Sequence, residues 1–284
     1  MTLTAFFIAA SLVFSQADAD VAYSTAKGLV EECTPRDAGS IRSRLAANFL
    51  LDAASATGAD VRRDVFVSKT PTGERQFVNL YAAYRFGDEK SKWVVLISHF
   101  DTKPGVKCPG ANDGASTSGL LVGLANAVSN WSKPKGNLLL VWTDGEECVG
   151  MYGENDGLWG SKRAAEVVAE NFGAVQAVIC LDMLGDKDLN ISVPANGSRS
   201  LAKIAVHAAR RAGYPGLVSM MDENVTDDHV PFLKKGFKAI DLIDFSYGPD
   251  NSYWHTEKDT MENISAKSLL VSGRLVAEML NILL

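Results

Sequence analysis

Trp93-Val94-Val95-Leu96-Ile97-Ser98-His99-Phe100-Asp101 is the stretch whose reading decides the fold. Its five leading apolar residues are rich in β-branched side chains and too few for a buried helix. They do not alternate with polar residues, so neither face of the segment is turned to water. This is the pattern of a central strand covered on both faces, ending in a His-x-Asp at its carboxyl end. Residues 138–143, 175–181 and 239–243 repeat the pattern. Between these runs lie stretches of helical period at 116–128, 161–172 and 198–212, with a last helix over 265–283. Upstream, Ile41, Leu45, Phe49 and Leu50 recur as one face of a helix over 40–56. Segments 61–68 and 77–84 alternate around Pro71-Thr72-Gly73, an antiparallel hairpin. The order predicts an α/β three-layer sandwich with a central mixed, mostly parallel sheet flanked by helices.

That layout places chemistry-bearing side chains together. His99 and Asp101 follow one central strand, Glu146-Glu147 the next, and Asp182 ends the third, all at the carboxyl ends where open α/β sheets put their sites. Asp113 precedes a helix, and His255 comes late, one of only four histidines. Taken singly, a helix cap accounts for Asp113 and a charged turn for Glu146-Glu147. Collected at strand ends, these residues form a set that no structural role requires. Imidazole nitrogen and carboxylate oxygen are zinc ligands that leave a position for water or a substrate carbonyl. Asp101, two residues after His99 on extended chain, points to the same side and is placed to orient the ring. Of two adjacent glutamates one can bind metal while the other stays free to carry a proton.

Composition agrees. The chain has 284 residues, 46% hydrophobic and 22% charged, enough for one large domain. A net charge of −6 with no long Lys/Arg run excludes a phosphate-backbone partner. Residues 3–14 are apolar but too short to span a bilayer, and Ala17-Asp18-Ala19 is a small-x-small peptidase site. Residues 1–19 therefore read as a secretory signal and 20–284 as one catalytic domain, exported and without a membrane anchor; the lack of Lys or Arg after Met1 leaves a buried N-terminal helix as the alternative. Cys33, Cys108, Cys148 and Cys180 allow three pairings. A bridge between the loops of Cys108 and Cys148 is the expectation, with Cys180 a buried free thiol. His229, before Pro231, reads as structural at a helix start, and His207 lies on an amphipathic helix. Ser116 caps a helix.

From about Gly39 onward the chain resembles the M28 metallopeptidase superfamily of zinc aminopeptidases and glutaminyl-peptide cyclotransferases. The resemblance rests on Ser98-His99-Phe100-Asp101, Ala111-Asn112-Asp113-Gly114, Asp144-Gly145-Glu146-Glu147, Leu181-Asp182-Met183-Leu184-Gly185 and Trp254-His255-Thr256. It implies that His99, Asp113, Glu147, Asp182 and His255 match the ligands of two-zinc peptidases, with Asp113 bridging and Glu146 the general base. Three features lean to the cyclases: the doubled Asp227-Asp228 before His229, the long segment between Glu147 and Gly160, and Trp254 before His255. In cyclases the positions of Asp113, Glu147 and His255 hold one zinc, and Glu146, Asp182 and Asp227 match catalytic or hydrogen-bonding carboxylates. Three departures lean the other way: Tyr152 replaces the usual pocket Trp, Asn112-Asp113-Gly114 is peptidase-like, and Ser98 stands where animal cyclases place a disulfide partner.

Two activities are therefore expected on peptide or protein N-termini. The first is one-zinc cyclisation of N-terminal Gln to pyroglutamate with ammonia release, and the alternative is two-zinc removal of N-terminal residues. Trp254, Tyr152 and Tyr253 are the expected pocket walls. A non-catalytic binding module is the remote third reading, disfavoured because every ligand position is filled. Oligomeric state has no signal in the sequence.

Overall fold

The structure is a computed structural model that describes residues 11–132 and 134–284. Its frame is an eight-stranded sheet among the described residues, in the order β1-β2-β4-β3-β5-β8-β6-β7. Strands β3 (Trp93–His99), β4 (Asn137–Thr143), β5 (Val175–Asp182) and β8 (Ala239–Ile243) form its parallel centre. The hairpin of β1 (Val61–Thr70) and β2 (Gly73–Arg85) closes one edge antiparallel to β4. At the other edge β6 (Ile191–Val193) runs antiparallel to β8, and β7 (Val218–Met220) runs parallel to β6.

The continuous apolar runs have the cause read from the sequence: each central strand feeds two cores. On β3, Val94 and Leu96 face one core while Trp93, Val95 and Ile97 face the other. On β5, Ile179 and Leu181 take the first side and Val178 and Cys180 the second. Helices α1 (Gln16–Cys33), α2 (Ile41–Ala56), α3 (Thr117–Ser129), α5 (Arg199–Arg211) and α7 (Ala266–Leu283) supply the larger core. The smaller one is covered by α4 (Trp159–Asn171) and α6 (His229–Lys234).

Two expectations change. A third, the boundary after Ala19, falls within helix α1, and residues 1–10 of that leader lie outside the described ones. Ser15 caps α1, its backbone N–H and hydroxyl both donating to Asp18 Oδ2 at 2.7 and 2.6 Å. Asp18 in turn accepts from Asn126 Nδ2 at 2.7 Å, and Leu12, Phe14 and Ala19 are buried. The α1–α3 crossing needs glycine, since a Cβ on Gly119 would lie 2.3 Å from the Ala22 carbonyl oxygen. Helix α2 exists as read, but Ile41 and Leu45 are exposed, and Ser43, Ala46, Ala47, Leu50 and Ala54 form the buried face. The reason is polar: Ser43 Oγ donates to Asp144 Oδ1 at 2.6 Å, and small residues let the helix approach the sheet. No disulfide joins Cys108 to Cys148, for all four thiols are free and buried. Cys108 instead points at Asp259, 3.7 Å away, and Cys148 lies 3.3 Å from Lys103 Nζ. Among the described residues no helix is long and apolar enough to cross a membrane.

Candidate active site

The parallel register brings His99 of β3 level with Thr143 of β4, and Asp182 of β5 level with Ile243 of β8. Everything that follows these positions emerges on one rim of the sheet. Asp113 reaches the same rim from the irregular turn Ala111–Ser116, where Gly114 has φ +88° and a Cβ would lie 3.1 Å from the His99 ring. His255 comes from the loop after β8 with φ 55°, a left-handed conformation that costs a non-glycine roughly 1–2 kcal/mol. Ser116 opens α3 without a side-chain cap, its hydroxyl donating to the Asn112 carbonyl at 2.6 Å.

Asp113 sits between two histidines. His255 Nε2 is 3.2 Å from Asp113 Oδ2 and 2.8 Å from Glu147 Oε1. His99 Nε2 is 3.2 Å from both Asp113 Oδ1 and Asp182 Oδ1. Burial opposes charge on His99, yet the nearby carboxylates of Asp101, Asp113 and Asp182 outweigh it and hold the imidazolium well above its ordinary range. His255 behaves alike: burial lowers and Asp113 with Glu147 raise, leaving it near 9. Burial resists ionisation of Asp113 too, but its two histidines keep it charged. Lys103 Nζ stands 3.4 Å from Glu147 Oε2.

Asp101 does more than orient His99, whose Nδ1 is 3.5 Å away. Its carboxylate accepts the backbone N–H groups of Gly145, Glu146 and Glu147 at 2.8, 3.0 and 3.2 Å. It fixes the turn that presents both glutamates. Glu147 points to the metal-type triad, while Glu146 Oε1 accepts only the Tyr152 hydroxyl, at 2.8 Å. Burial, then the charges of Glu147 and Asp227, push the Glu146 carboxyl well above the usual carboxylate range. Burial also raises Asp182 and Asp227 to about 6, opposed at Asp182 by His99 and reinforced at Asp227 by the charge of Asp182.

Asp113, Glu146, Glu147, Asp182 and Asp227 line a cavity of about 410 Å³ together with Tyr152, Ile243, Phe245, Trp254 and His255. Trp254 stacks on the His255 ring at 4.0 Å between centroids. Tyr253, expected as a wall, is not in the lining. Its ring packs edge-on against Tyr247 at 5.4 Å, over Gly248. His229 is fully buried with neither ring nitrogen hydrogen-bonded, and His207 is exposed, so neither joins the site.

Two residues absent from the sequence reading shape the rim. Asp259 accepts the backbone N–H groups of Asn112 and Asp113 at 2.7 and 3.2 Å and the Tyr247 hydroxyl at 2.9 Å, pinning the Asp113 turn. Fully buried Arg36 donates to the carbonyls of Phe100, Pro109 and Gly110 at 2.5, 2.8 and 2.5 Å, holding the loop between His99 and Asp113. Neither lies in a motif, and both act through backbone atoms, so no spacing marks them.

The donor set fits zinc. Asp113, Glu147 and His255 present two carboxylate oxygens and an imidazole nitrogen within 4.8 Å of one another, and His99, Asp113 and Asp182 do the same. Donors of a tetrahedral zinc with bonds of roughly 2.0–2.2 Å stand about 3.3 Å apart, close to the separations found. Glu147 Oε2 is buried with only the Lys103 ammonium near it, at 3.4 Å, so this carboxylate oxygen keeps a free lone pair for a ligand bond.

A model of Peptidase family M28 matches residues 79–280, the part of the chain carrying every one of these donors. The chain belongs to peptidase family M28. Within it this M28 enzyme resembles glutaminyl cyclases. It is 28% identical over 274 residues to a glutaminyl-peptide cyclotransferase-like protein of Bos taurus, covering 86% of this chain and 70% of the relative. Against the glutaminyl-peptide cyclotransferase of Dictyostelium discoideum the identity is 26% over 247 residues, covering 70% and 68%. The crystal structure of a glutaminyl cyclase from an Acidobacteriales bacterium superposes with TM-score 0.87 at 30% identity, covering 100% of this chain and 98% of that one. A Zn-dependent exopeptidase from Parabacteroides distasonis, at 24% identity and TM-score 0.82 over 95% and 99%, shares the fold alone.

Proposed function

We propose that this enzyme is a zinc-dependent glutaminyl-peptide cyclotransferase that converts N-terminal Gln of peptides to pyroglutamate and releases ammonia. One observation carries the reading: Glu146 lies beside the triad but outside it, facing the cavity with Asp182 and Asp227, three buried carboxyls whose ionisation burial disfavours. Asp113, Glu147 and His255 would hold a zinc, whose chemistry there would be Lewis-acid polarisation of the side-chain carboxamide carbonyl.

The remaining work falls to the protein. The α-amine attacks the side-chain carbonyl carbon, forming the ring C–N bond as the C–NH2 bond breaks. Glu146 takes the proton from the amine and gives it to the departing nitrogen, so ammonia leaves with no water consumed. Asp182 and Asp227, neighbours that resist double ionisation, hold a proton between them and hydrogen-bond the carboxamide nitrogen. Tyr152 keeps Glu146 oriented, and Ile243, Phe245 and Trp254 keep water from the side-chain stem.

A second reading, aminopeptidase hydrolysis with Glu146 as base for water, rests on His99, equidistant from Asp113 and Asp182 and so able to complete a second metal set. Export stays part of the proposal, with residues 1–19 as the leader. The test is mass analysis of two peptides, one beginning with Gln and one with Leu, with zinc-loaded enzyme. Ammonia loss without shortening is expected, abolished by chelation and by Glu146→Gln. Stepwise shortening of the Leu peptide overturns the cyclase reading in favour of the second.

A further inference from the structure

Tyr152 and Thr226 each line two cavities. On one side lies the acidic site cavity. On the other is a cavity of about 620 Å³ whose lining includes Leu158, Val230, Lys162 and Lys234, with Glu154 its one acid. Lys162 is built into the loop that carries Tyr152: its Nζ donates to the carbonyls of Gly153, Glu154 and Gly157 at 2.6, 3.0 and 2.8 Å. Three donors are all an ammonium has, so its charge is fixed in place with none left for a ligand. Burial, and next the charge of Lys234, disfavour the Lys162 ammonium, which places the two cations within each other's field. Lys234, at the last turn of α6, is exposed and has no carboxylate within 4.0 Å among the described residues, while its neighbour Lys235 is 4.0 Å from Glu166.

An acidic cavity and a basic one thus meet across a lip of two side chains, in a protein whose net charge is −6. A peptide with its amino terminus in the first cavity and its following residues across the lip lies along this field. We propose that the second cavity is a subsite for the second and third residues of the substrate, selecting acidic side chains through Lys234 backed by Lys162. The proposal rests on N-terminal peptides being the substrate.

The test compares zinc-loaded enzyme on peptides of equal length beginning Gln-Ala-Ala, Gln-Asp-Ala, Gln-Ala-Asp and Gln-Ala-Lys. At low salt kcat/KM for the better acidic peptide exceeds the neutral one by about fivefold, through KM, since one partly exposed ion pair contributes up to ~1 kcal/mol. Lys234→Gln brings the acidic-to-neutral ratio to about 1, and Lys235→Gln preserves it. A ratio of 1 in the native enzyme, a preference for Gln-Ala-Lys, or a ratio that survives Lys234→Gln overturns the subsite. If no Gln peptide is cyclised the reaction assignment fails separately. The subsite is then judged from affinities of the same peptides for the Glu146→Gln protein, with the same ratios deciding.

Discussion

Asp101→Asn preserves shape and tests whether that carboxylate holds the glutamate turn. Oδ1 accepts from Gly145 and Glu146 at 2.8 and 3.0 Å, and Oδ2 accepts from Glu147 at 3.2 Å. An asparagine with its carbonyl in the Oδ1 position keeps the first two bonds but turns its NH2 toward the Glu147 N–H, donor against donor. A buried N–H left without a partner costs about 1–3 kcal/mol, and two bonds losing charge assistance give up roughly 0.5–1 kcal/mol each. Relief of repulsion with nearby Asp144, which burial and the Asp101 charge together raise to about 7, returns part of this. The net expectation is a loss of about 2–3 kcal/mol, a large share of a domain's typical ~5–15. Guanidinium unfolding of metal-free protein reads it as a lower midpoint with unchanged slope. Turnover falls in parallel, because Glu146 and Glu147 hang from the same turn. Stability within about 0.5 kcal/mol of the parent, the range of an ordinary surface change, with turnover retained, refutes the assignment.

Two further outcomes follow from packing and burial. Phe14→Ala empties a buried site against Gly273 and is expected to cost about 3–5 kcal/mol in thermal or denaturant unfolding. A chain starting at Asp20 loses the same contacts, and finding it as stable as the longer chain would support the boundary after Ala19. His229→Leu is expected to stabilise by about 1–2 kcal/mol at pH 7, because it removes two buried nitrogens that have no partner. Burial depresses His229 to about 4 from 6.5. The cost of burying it is therefore smallest above pH 6.5 and grows as pH falls toward 4. Between pH 7 and 5 the native protein should lose about 2 kcal/mol more than the leucine variant. Equal pH slopes would show that His229 is protonated in the fold.

The sheet was legible because its strands obey a local rule: a run buried on both faces is dominated by apolar residues, as 93–98, 138–143, 175–181 and 239–243 are, with Gln176 and Asp241 the polar interruptions within them. Strands β6 and β7, of three residues each, carry no period and were not read. Helix α1 was read only as the alternative to a leader because its first turn looks like a peptidase site, and the buried face of α2 was misassigned because Ile41 and Leu45 outrank Ala46 and Ala47 in hydrophobicity. The metal-type residues were legible as motifs, and the structure brings His99, Asp113, Glu147, Asp182 and His255 together. What supports them was not legible, since Arg36 and Asp259 bind backbone atoms that any sequence provides. Tyr253 was misplaced because its neighbour Trp254 takes the pocket face while Gly248 receives the tyrosine ring.

The charge balance explains why the fold tolerates so many buried acids. Asp113, Glu146, Glu147, Asp182, Asp227, Asp228 and Asp241 are buried around one rim, and Asp241 has no hydrogen-bond partner for either oxygen. Against them stand His99, His255 and Lys103, for Arg36 spends its guanidinium on carbonyls. Asp113, Glu147 and Asp182 have those cations within 3.4 Å. The others do not: Asp228 is raised to about 7 by burial and by Asp227, and Asp241 is raised well above the carboxylate range by burial first and then by Asp227 and Asp182. Burial without a cation is sustainable only if protons are kept. One side of the rim thus offers charged oxygens suited to a metal. The other offers carboxyls that hold protons near neutral pH and can donate hydrogen bonds to a carboxamide. That division, set by which acids face the cations, separates the oxygens proposed to hold zinc from the carboxyls proposed to move a proton.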